Sequence, residues 1–405
     1  MMQNGKDGLK EALDKKAAYG PDIDLDHYEL GSFEPHEIDD LEKADEATRA
    51  IMDDIGVVSN EEGRDGTIMF IDNAMSHCNN KAEEGVEVMS TKEALAKYDW
   101  VKDYYWNAVK PDKDKYTAKT CLEDGDGYFI YVKPGYKVKN PVQTCMMIDS
   151  KKSIQTLHNI VIVDKNASLE IITGCATGNH VNDALHVGVS EIYVKEGGSV
   201  VFSMIHNWGT QTAVRPRTAC IVEKGGRYVN NYVLLKPVGT LQSYPACYLN
   251  GEGATCKMNT ICIANEGSDV DMGGSVILNA PNTSAEIISR NIVHGGKIKA
   301  RGRLEGHAPG VKAHLECRSI MLSDGGSTDA IPELESTVAD VEMTHEAAVG
   351  KIARDQIEYL MSRGLSEDDA VSMIVRGFLV GGINGLPDHL RNEIDAAVTK
   401  ANVGN

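Results

Sequence analysis

Between residues 120 and 335 apolar and polar positions alternate in short runs, each broken by a few small polar residues. DKNASLEII, VKEGGSVVFSMI, EKGGRYVNNYVLL, NGEGATCKMNTICI and APNTSAEIISRNIV all place a turn of Asn, Gly, Ser or Thr before a strand-like run. The turn positions Ser168, Ser199, Arg227, Ala254 and Ser284 recur 27 to 31 residues apart. Such a period without helical spacing predicts coils stacked as a β-solenoid. A sandwich or barrel is the rival, since short strands and turn signals describe those folds too. The absence of clear two-residue hairpin turns between the runs favours the solenoid.

The flanks differ. Residues 1–115 are acidic and mostly helical in pattern, as in EIDDLEKADEATRAIMDDIG, and 116–340 form the solenoid core. Residues 341–405 read as a helical C-terminal domain. Val349, Ile352, Ala353, Ile357 and Leu360 fall at helical spacing, and Gly364 follows as a cap. On this reading a helix begins at His345 with Thr344 as its N-cap. Ser366 caps a second helix, SEDDAVSMIVRGFL, whose first-turn acids suit the helix dipole. An exposed apolar stripe on these helices would be a docking surface; packing against the solenoid is the alternative.

Charge and composition narrow the function. The 405 residues carry a formal charge of -19, which repels nucleic acid and anionic membrane alike. MMQNGKDGLKEALDKKAAYG lacks the apolar run of a signal peptide and no window is long and apolar enough to span a bilayer, so the expectation is a cytoplasmic protein. Nine cysteines, none in a CxxC or CxxxC pair, suggest neither a disulfide framework nor a structural zinc. His345-Glu346 begins like the H-E-x-x-H of zinc proteases, but Val349 stands where the second histidine belongs. No G-x-x-x-x-G-K-[ST] occurs, so the chain binds no nucleotide through a P-loop.

The run CRSIMLSDGGSTDAIPELESTVADVEMTHEAAVGKIARDQIEYLMSRGLSEDDAVSMIVRGFL, residues 317–379, closely resembles the C-terminal signature of the SufB/SufD family of iron-sulfur cluster assembly scaffolds. DGYFIYVKPG, LEIITGCATG, LHVGVSEIYVKEGGSV, HNWG and YPACYLNGEG extend the resemblance upstream in order. It implies a mainly β fold, a right-handed parallel β-helix between helical termini. It also implies a scaffold rather than an enzyme, which builds a transient iron-sulfur cluster from iron and sulfide or persulfide sulfur and passes it to apo acceptor proteins. The implied partner is a SufC-type ABC ATPase docked on the C-terminal helices. Dimerisation through the β-helix ends implies a homodimer within a heterotetramer holding two ATPase subunits. The cysteine before SIML and the His-Glu pair resemble SufB more than SufD, and the departures suggest a minimal archaeal-type system. Two alternatives stay open: a SufD-like structural subunit without its own cluster, and a β-solenoid enzyme acting on polysaccharide. The latter is disfavoured by the absence of a secretory signal and by only five Phe and three Trp.

The resemblance assigns candidate residues. Cys317 precedes Glu346 by 29 positions, the family's separation between its cysteine and glutamate cluster ligands. Thiolate is the soft ligand that iron in such clusters favours, and a harder carboxylate holds the cluster loosely enough to release it. Residue chemistry alone makes Cys317 a buried structural thiol. His345 is a third ligand or a proton-handling neighbour. Thr344 stands where SufB proteins often carry another glutamate, so Glu342 is a substitute carboxylate or simply a solvated acid. Cys175 in ITGCATG matches the cysteine that receives sulfur as a persulfide, which thiol exchange would carry through the solenoid interior toward Cys317. His206, where the family usually has glutamine, and Trp208 fall along that route. Arg217 is expected to add positive charge near it, while Pro216, Asp149 and Met147 replace the family's lysine, asparagine and arginine. Cys220, Cys247, Cys256 and Cys262 read as core, and Cys78, Cys121 and Cys145 receive no role.

Overall fold

The structure is a computed structural model that describes residues 2–16, 20–34, 37–82, 84–381, 383, 387, 390–392 and 394–396. Its centre is a β-solenoid of about eight turns. Two parallel sheets face each other, and the chain crosses from one to the other and back in each coil. Neighbouring strands pair in parallel at the same offset as the sequence repeat, so Ser199 sits over Ser168, Arg227 over Ser199, and Thr255 over Arg227.

One turn, repeated, fixes that offset. Asn166, Gly197, Gly225, Gly253, Asn282 and Gly310 all have positive φ, a conformation that glycine and asparagine adopt most readily. Each donates its backbone N–H to a carbonyl one coil further on: Gly197 to Lys224, Gly225 to Glu252, Gly253 to Pro281 and Gly310 to Asp340, at 2.8 to 3.1 Å. The turns are thereby stacked with their polar groups paired, and the strands between them align without slippage.

Side chains alternate across each strand. In Val311–Met321, Val311, Ala313, Leu315 and Cys317 enter the main apolar core between the sheets. His314, Glu316 and Arg318 therefore face outward. The same alternation makes Cys175, Phe202, Tyr232 and Cys262 interior. On the outer face of the Cys317 sheet, Ile51, Met52 and Ile55 from helix Glu46–Asp54 join a second cluster with Met69, Ile261, Ile288 and Ile292. Val375 and Leu379 from helix Glu367–Val380 belong to that cluster too.

Both flanks depart from the sequence expectation. The region 1–115 contains the helices Met2–Leu13, Glu46–Asp54 and Thr91–Lys97, but also the strands Gly66–Ile71, Ala74–Asn80 and Val86–Ser90. Gly66–Ile71 pairs in parallel with Val142–Ile148 and so extends the solenoid sheet. At the other end no helix starts at His345. Val341–Gly350 is a strand, paired in parallel with Val311–Met321 from Val341 opposite Val311 to Gly350 opposite Ile320. The coil thus continues ten residues past the expected boundary at 340, and Thr344 is not an N-cap: its hydroxyl bonds His314 Nδ1 at 2.8 Å on the outer face. The first C-terminal helix is Arg354–Met361, followed by Gly364 at φ 95. Ser366 caps the second as expected, its Oγ accepting from the Asp369 N–H at 3.1 Å. The expected C-terminal domain includes residues 397–405, which lie outside the described residues.

Candidate functional site

The last coil carries most of the predicted site. Strand register puts Cys317 opposite Ala347 and His345 opposite Leu315. Because paired residues on parallel strands share a face, Cys317 and His345 both point into the solenoid, on adjacent strands. Cys317 is buried, and burial pushes its thiol up to about 11, with Glu316 adding to the effect and Arg290 opposing it. His345 Nε2 is shielded from solvent and has no hydrogen-bond partner.

Glu346 lies on the other face. It pairs with Glu316, and its carboxylate accepts from Arg318 Nη2 at 3.0 Å. Arg318 also pairs with Glu316, whose carboxylate meets Arg290 Nη2 at 2.9 Å. Arg290 donates from Nε to the Gly381 carbonyl, at the end of helix Glu367–Val380, over 3.3 Å, and its guanidinium lies 5.9 Å from the Phe378 ring. A chain of alternating charge thus runs from the C-terminal helix across three strands to Glu346. Arg290 and Glu316 are nearly buried, whereas the Glu346 side chain is 61% exposed. Sequence reading missed Arg290, Glu316 and Arg318. Their spacing held a signal, since Arg290 and Arg318, and Glu316 and Glu346, stand one coil repeat apart.

Glu342 joins neither group. It faces outward, pairs loosely with Lys312 at 3.8 Å, and lines a shallow groove with Lys257, Glu286 and His314. Among the described residues no group of three or more His, Cys, Asp or Glu side chains is placed to hold a metal ion. One chain therefore brings Cys317 and His345 to a common interior, keeps Glu346 outside, and leaves Glu342 apart.

Among the described residues nothing covers the coil that holds these side chains. Strands Ser327–Ser336 and Val341–Gly350 are each hydrogen-bonded, among the described residues, to a neighbouring strand on one side only, Lys297–Gly306 and Val311–Met321 respectively. Leu334 and Val349 continue the inward-facing rows from Leu304 and Ser319, yet they are 42% and 54% exposed.

Cys175 lies five coils from the Cys317 strand, on the interior face of Ser168–Thr177 and fully buried. Burial raises its thiol far above the ordinary cysteine range, and Cys145 adds to this. Register stacks Cys175, His206, Leu234, Cys262, Asn291 and Ser319 in one interior row, and Tyr232, Thr260, Ser289 and Cys317 in the row beside it. Ser289 Oγ donates to Asn291 Oδ1 at 3.1 Å and so joins the two rows near Cys317. Trp208 is buried beside His206 and donates its indole N–H to His206 Nδ1 at 2.6 Å. Arg217 is elsewhere. It points out of the opposite sheet, bonds Asp114 at 2.6 Å and Gln242 at 2.8 Å, and ties the N-terminal region to the solenoid. Met147 packs in the outer cluster and Asp149 lines a surface pocket, so neither reaches the interior rows.

Two family models match most of the chain between them. The domain described as "SUF system FeS cluster assembly, SufBD core domain" matches residues 146–378, and "SufBD protein N-terminal region" matches 65–144. The chain belongs to the SufBD family. An iron-sulfur cluster assembly SufBD family protein of Methanothermobacter thermautotrophicus is 45% identical over 401 residues, covering 97% of both chains. A SufBD family protein of Archaeoglobus fulgidus is 50% identical over 318 residues, 78% of this chain and 85% of that one. The iron-sulfur cluster assembly protein SufB of Bacillus subtilis is 34% identical over 310 residues, 75% of this chain and 66% of its own. This SufBD chain is thus an iron-sulfur cluster assembly family protein, and among its described residues no helix is long and apolar enough to cross a membrane.

Proposed function

We propose that the chain is the cluster-building scaffold of its system, working in the cytoplasm with a SufC-type ABC ATPase and assembling a cluster on Cys317 in the company of His345 and Glu346. The observation that carries this reading is the exposed last coil. Cys317 and His345 lie just inside a solenoid end that no described residue covers, and its edge strands and apolar residues call for a second surface. A second copy of the chain, apposed through the same end, supplies that surface and doubles the ligands available. Two thiols and two imidazoles from a symmetric pair approach the number a cluster needs, which a single chain does not reach.

Glu346 enters by changing face. The Arg290–Glu316–Arg318 chain holds it outward and ends at the carbonyl of Gly381. An ATPase pulling on the helices Arg354–Met361 and Glu367–Val380 would draw Arg290 from Glu316 and free the end of the last strand. The helices present Tyr359, Met361 and Met373 as exposed apolar anchors for such a partner. Sulfur would arrive at Cys175 and travel along the interior rows. Released clusters would go to apo acceptor proteins.

Anaerobic reconstitution of the purified chain and its co-expressed ATPase with ferrous iron and sulfide tests the reading. Cluster absorption and a stoichiometric iron and sulfide content are expected, with at least a severalfold loss in Cys317→Ser and Glu346→Ala. Full cluster content in both variants would remove the ligand assignment.

A further inference from the structure

The charges on the outer face of Ser284–His294, Val311–Met321 and Val341–Gly350 are balanced and shared. Two guanidiniums, Arg290 and Arg318, meet two carboxylates, Glu316 and Glu346. Both guanidiniums converge on one atom, Glu316 Oε1, Arg290 through Nη2 at 2.9 Å and Arg318 through Nε. Arg318 also donates from Nη2 to Glu346 at 3.0 Å, and Arg290 from Nε to the Gly381 carbonyl at 3.3 Å. The middle oxygen is therefore contested between the two ends of the relay.

Those ends differ in kind. At one, the Glu346 side chain faces solvent and can turn away. At the other, Arg290 is buried and ties the end of helix Glu367–Val380 to the sheet, beside the apolar packing of Val375 and Leu379. Withdrawing Glu346 leaves two guanidiniums on one carboxylate. Arg318 then takes a larger share of Glu316 Oε1, the repulsion between the guanidiniums loses part of its offset, and the hold of Glu316 on Arg290 weakens. A change at the solvent-facing carboxylate thus reaches the helix through two side chains of the strand between them.

We propose that this relay reports occupancy: when iron draws Glu346 away from Arg318, the tie between Arg290 and the sheet loosens, and a loaded scaffold holds helix Glu367–Val380 less firmly than an empty one. This rests on the reading of Glu346 as an iron ligand. Coupling between two sites is reciprocal, so a partner that displaces the helix frees Glu346 by the same factor. The relay then works in both directions, and an ATPase docked on the C-terminal helices distinguishes a full scaffold from an empty one. Arg290 and Arg318 act in it as positioning residues. Because the Arg318–Glu346 pair is largely exposed, the coupling amounts to about fivefold at most.

Native-state hydrogen exchange on the iron-free, full-length chain separates this signal from cluster chemistry, with Glu346→Gln standing in for a carboxylate engaged elsewhere. Amides of helix Glu367–Val380 are expected to exchange about threefold faster in Glu346→Gln than in wild type. Helix Glu46–Asp54 packs in the same apolar cluster but outside the relay, and its exchange should not change. In an Arg318→Met background, where the middle link is cut at a partly exposed side chain, Glu346→Gln should alter neither helix. Wild-type exchange of Glu367–Val380 in Glu346→Gln would overturn the relay, as would equal acceleration of both helices or an effect that persists with Arg318→Met. Those outcomes leave Glu346 as an iron ligand, which reconstitution decides by itself. Full cluster content in Glu346→Ala would instead remove the iron reading and with it the reporting role, whatever exchange shows of the coupling.

Discussion

Single residues in the interior set how this protein meets pH. His186 and His206 are fully buried and burial pushes both imidazoles down to about 3, while an exposed imidazole titrates near 6.5. Below that value the unfolded chain binds protons that the folded chain refuses, so folding stability falls as pH drops from about 6.5 toward 3. Each histidine contributes a slope of about 1.4 kcal/mol per pH unit across that window. Urea unfolding between pH 7 and pH 4 should therefore show a shallower loss in His206→Gln than in wild type, by about that slope; parallel curves would mean that the ring is not held neutral. Cys317 works in the opposite direction. Its thiol is pushed up to about 11, so a proton must leave before iron can bind. Apparent iron affinity in reconstitution should rise about tenfold per pH unit between 7 and 9 in wild type and become flatter in Cys317→Ser.

At the scale of elements, the strand Val341–Gly350 shows where sequence and structure part. The solenoid was legible because its stacked turns need Gly or Asn at a fixed offset, and those residues print the period directly. VEMTHEAAVG was misread because Glu, Met and Ala serve helices well, and Val349 with Ile352 and Ile357 mimics a helical stripe. The same residues alternate, Val341, Met343, His345, Ala347 and Val349 on one face, and pairing along the whole of Val311–Met321 outweighs propensity. The error mattered, since a helix would have shown Cys317, His345 and Glu346 to one another, whereas a strand puts His345 inside and Glu346 outside. The charge chain across these strands was illegible for a different reason: it exists only once the coils are stacked. Its members differ in burial and so in worth. Arg290→Met leaves Glu316 buried with part of its compensation gone and should cost about 3 kcal/mol. Arg318→Met, at a side chain 45% exposed, should cost under about 1 kcal/mol. Chemical denaturation of the two variants checks that order, and equal losses would mean that the chain is not anchored at its Arg290 end.

For the whole molecule the decisive feature is the asymmetry of the solenoid's ends. The first coils are closed by the antiparallel pairs Gly66–Ile71 with Ala74–Asn80 and Val86–Ser90 with Tyr128–Val132, so pairing there ends in hairpin-like cover. The last coil has no such cover among the described residues, and its inward row surfaces at Leu334 and Val349 with Ile331 exposed on the adjacent face. A row that is core in every earlier coil becomes surface in this one, and an exposed parallel edge invites another chain. Two copies meeting end to end would bury these residues and continue both sheets without a new fold. They would also bring the Cys317 and His345 pairs of both copies to one place, which ties oligomeric state to cluster chemistry. Leu334→Asp with Val349→Asp alters residues already in contact with water, so each monomer should keep its unfolding midpoint. Charge repulsion across a two-fold axis should nonetheless shift the protein from dimer to monomer in analytical ultracentrifugation and abolish cluster formation with it. A monomeric double variant that still assembles a full cluster would place the chemistry within one chain, and a dimer that survives both substitutions would place the interface elsewhere.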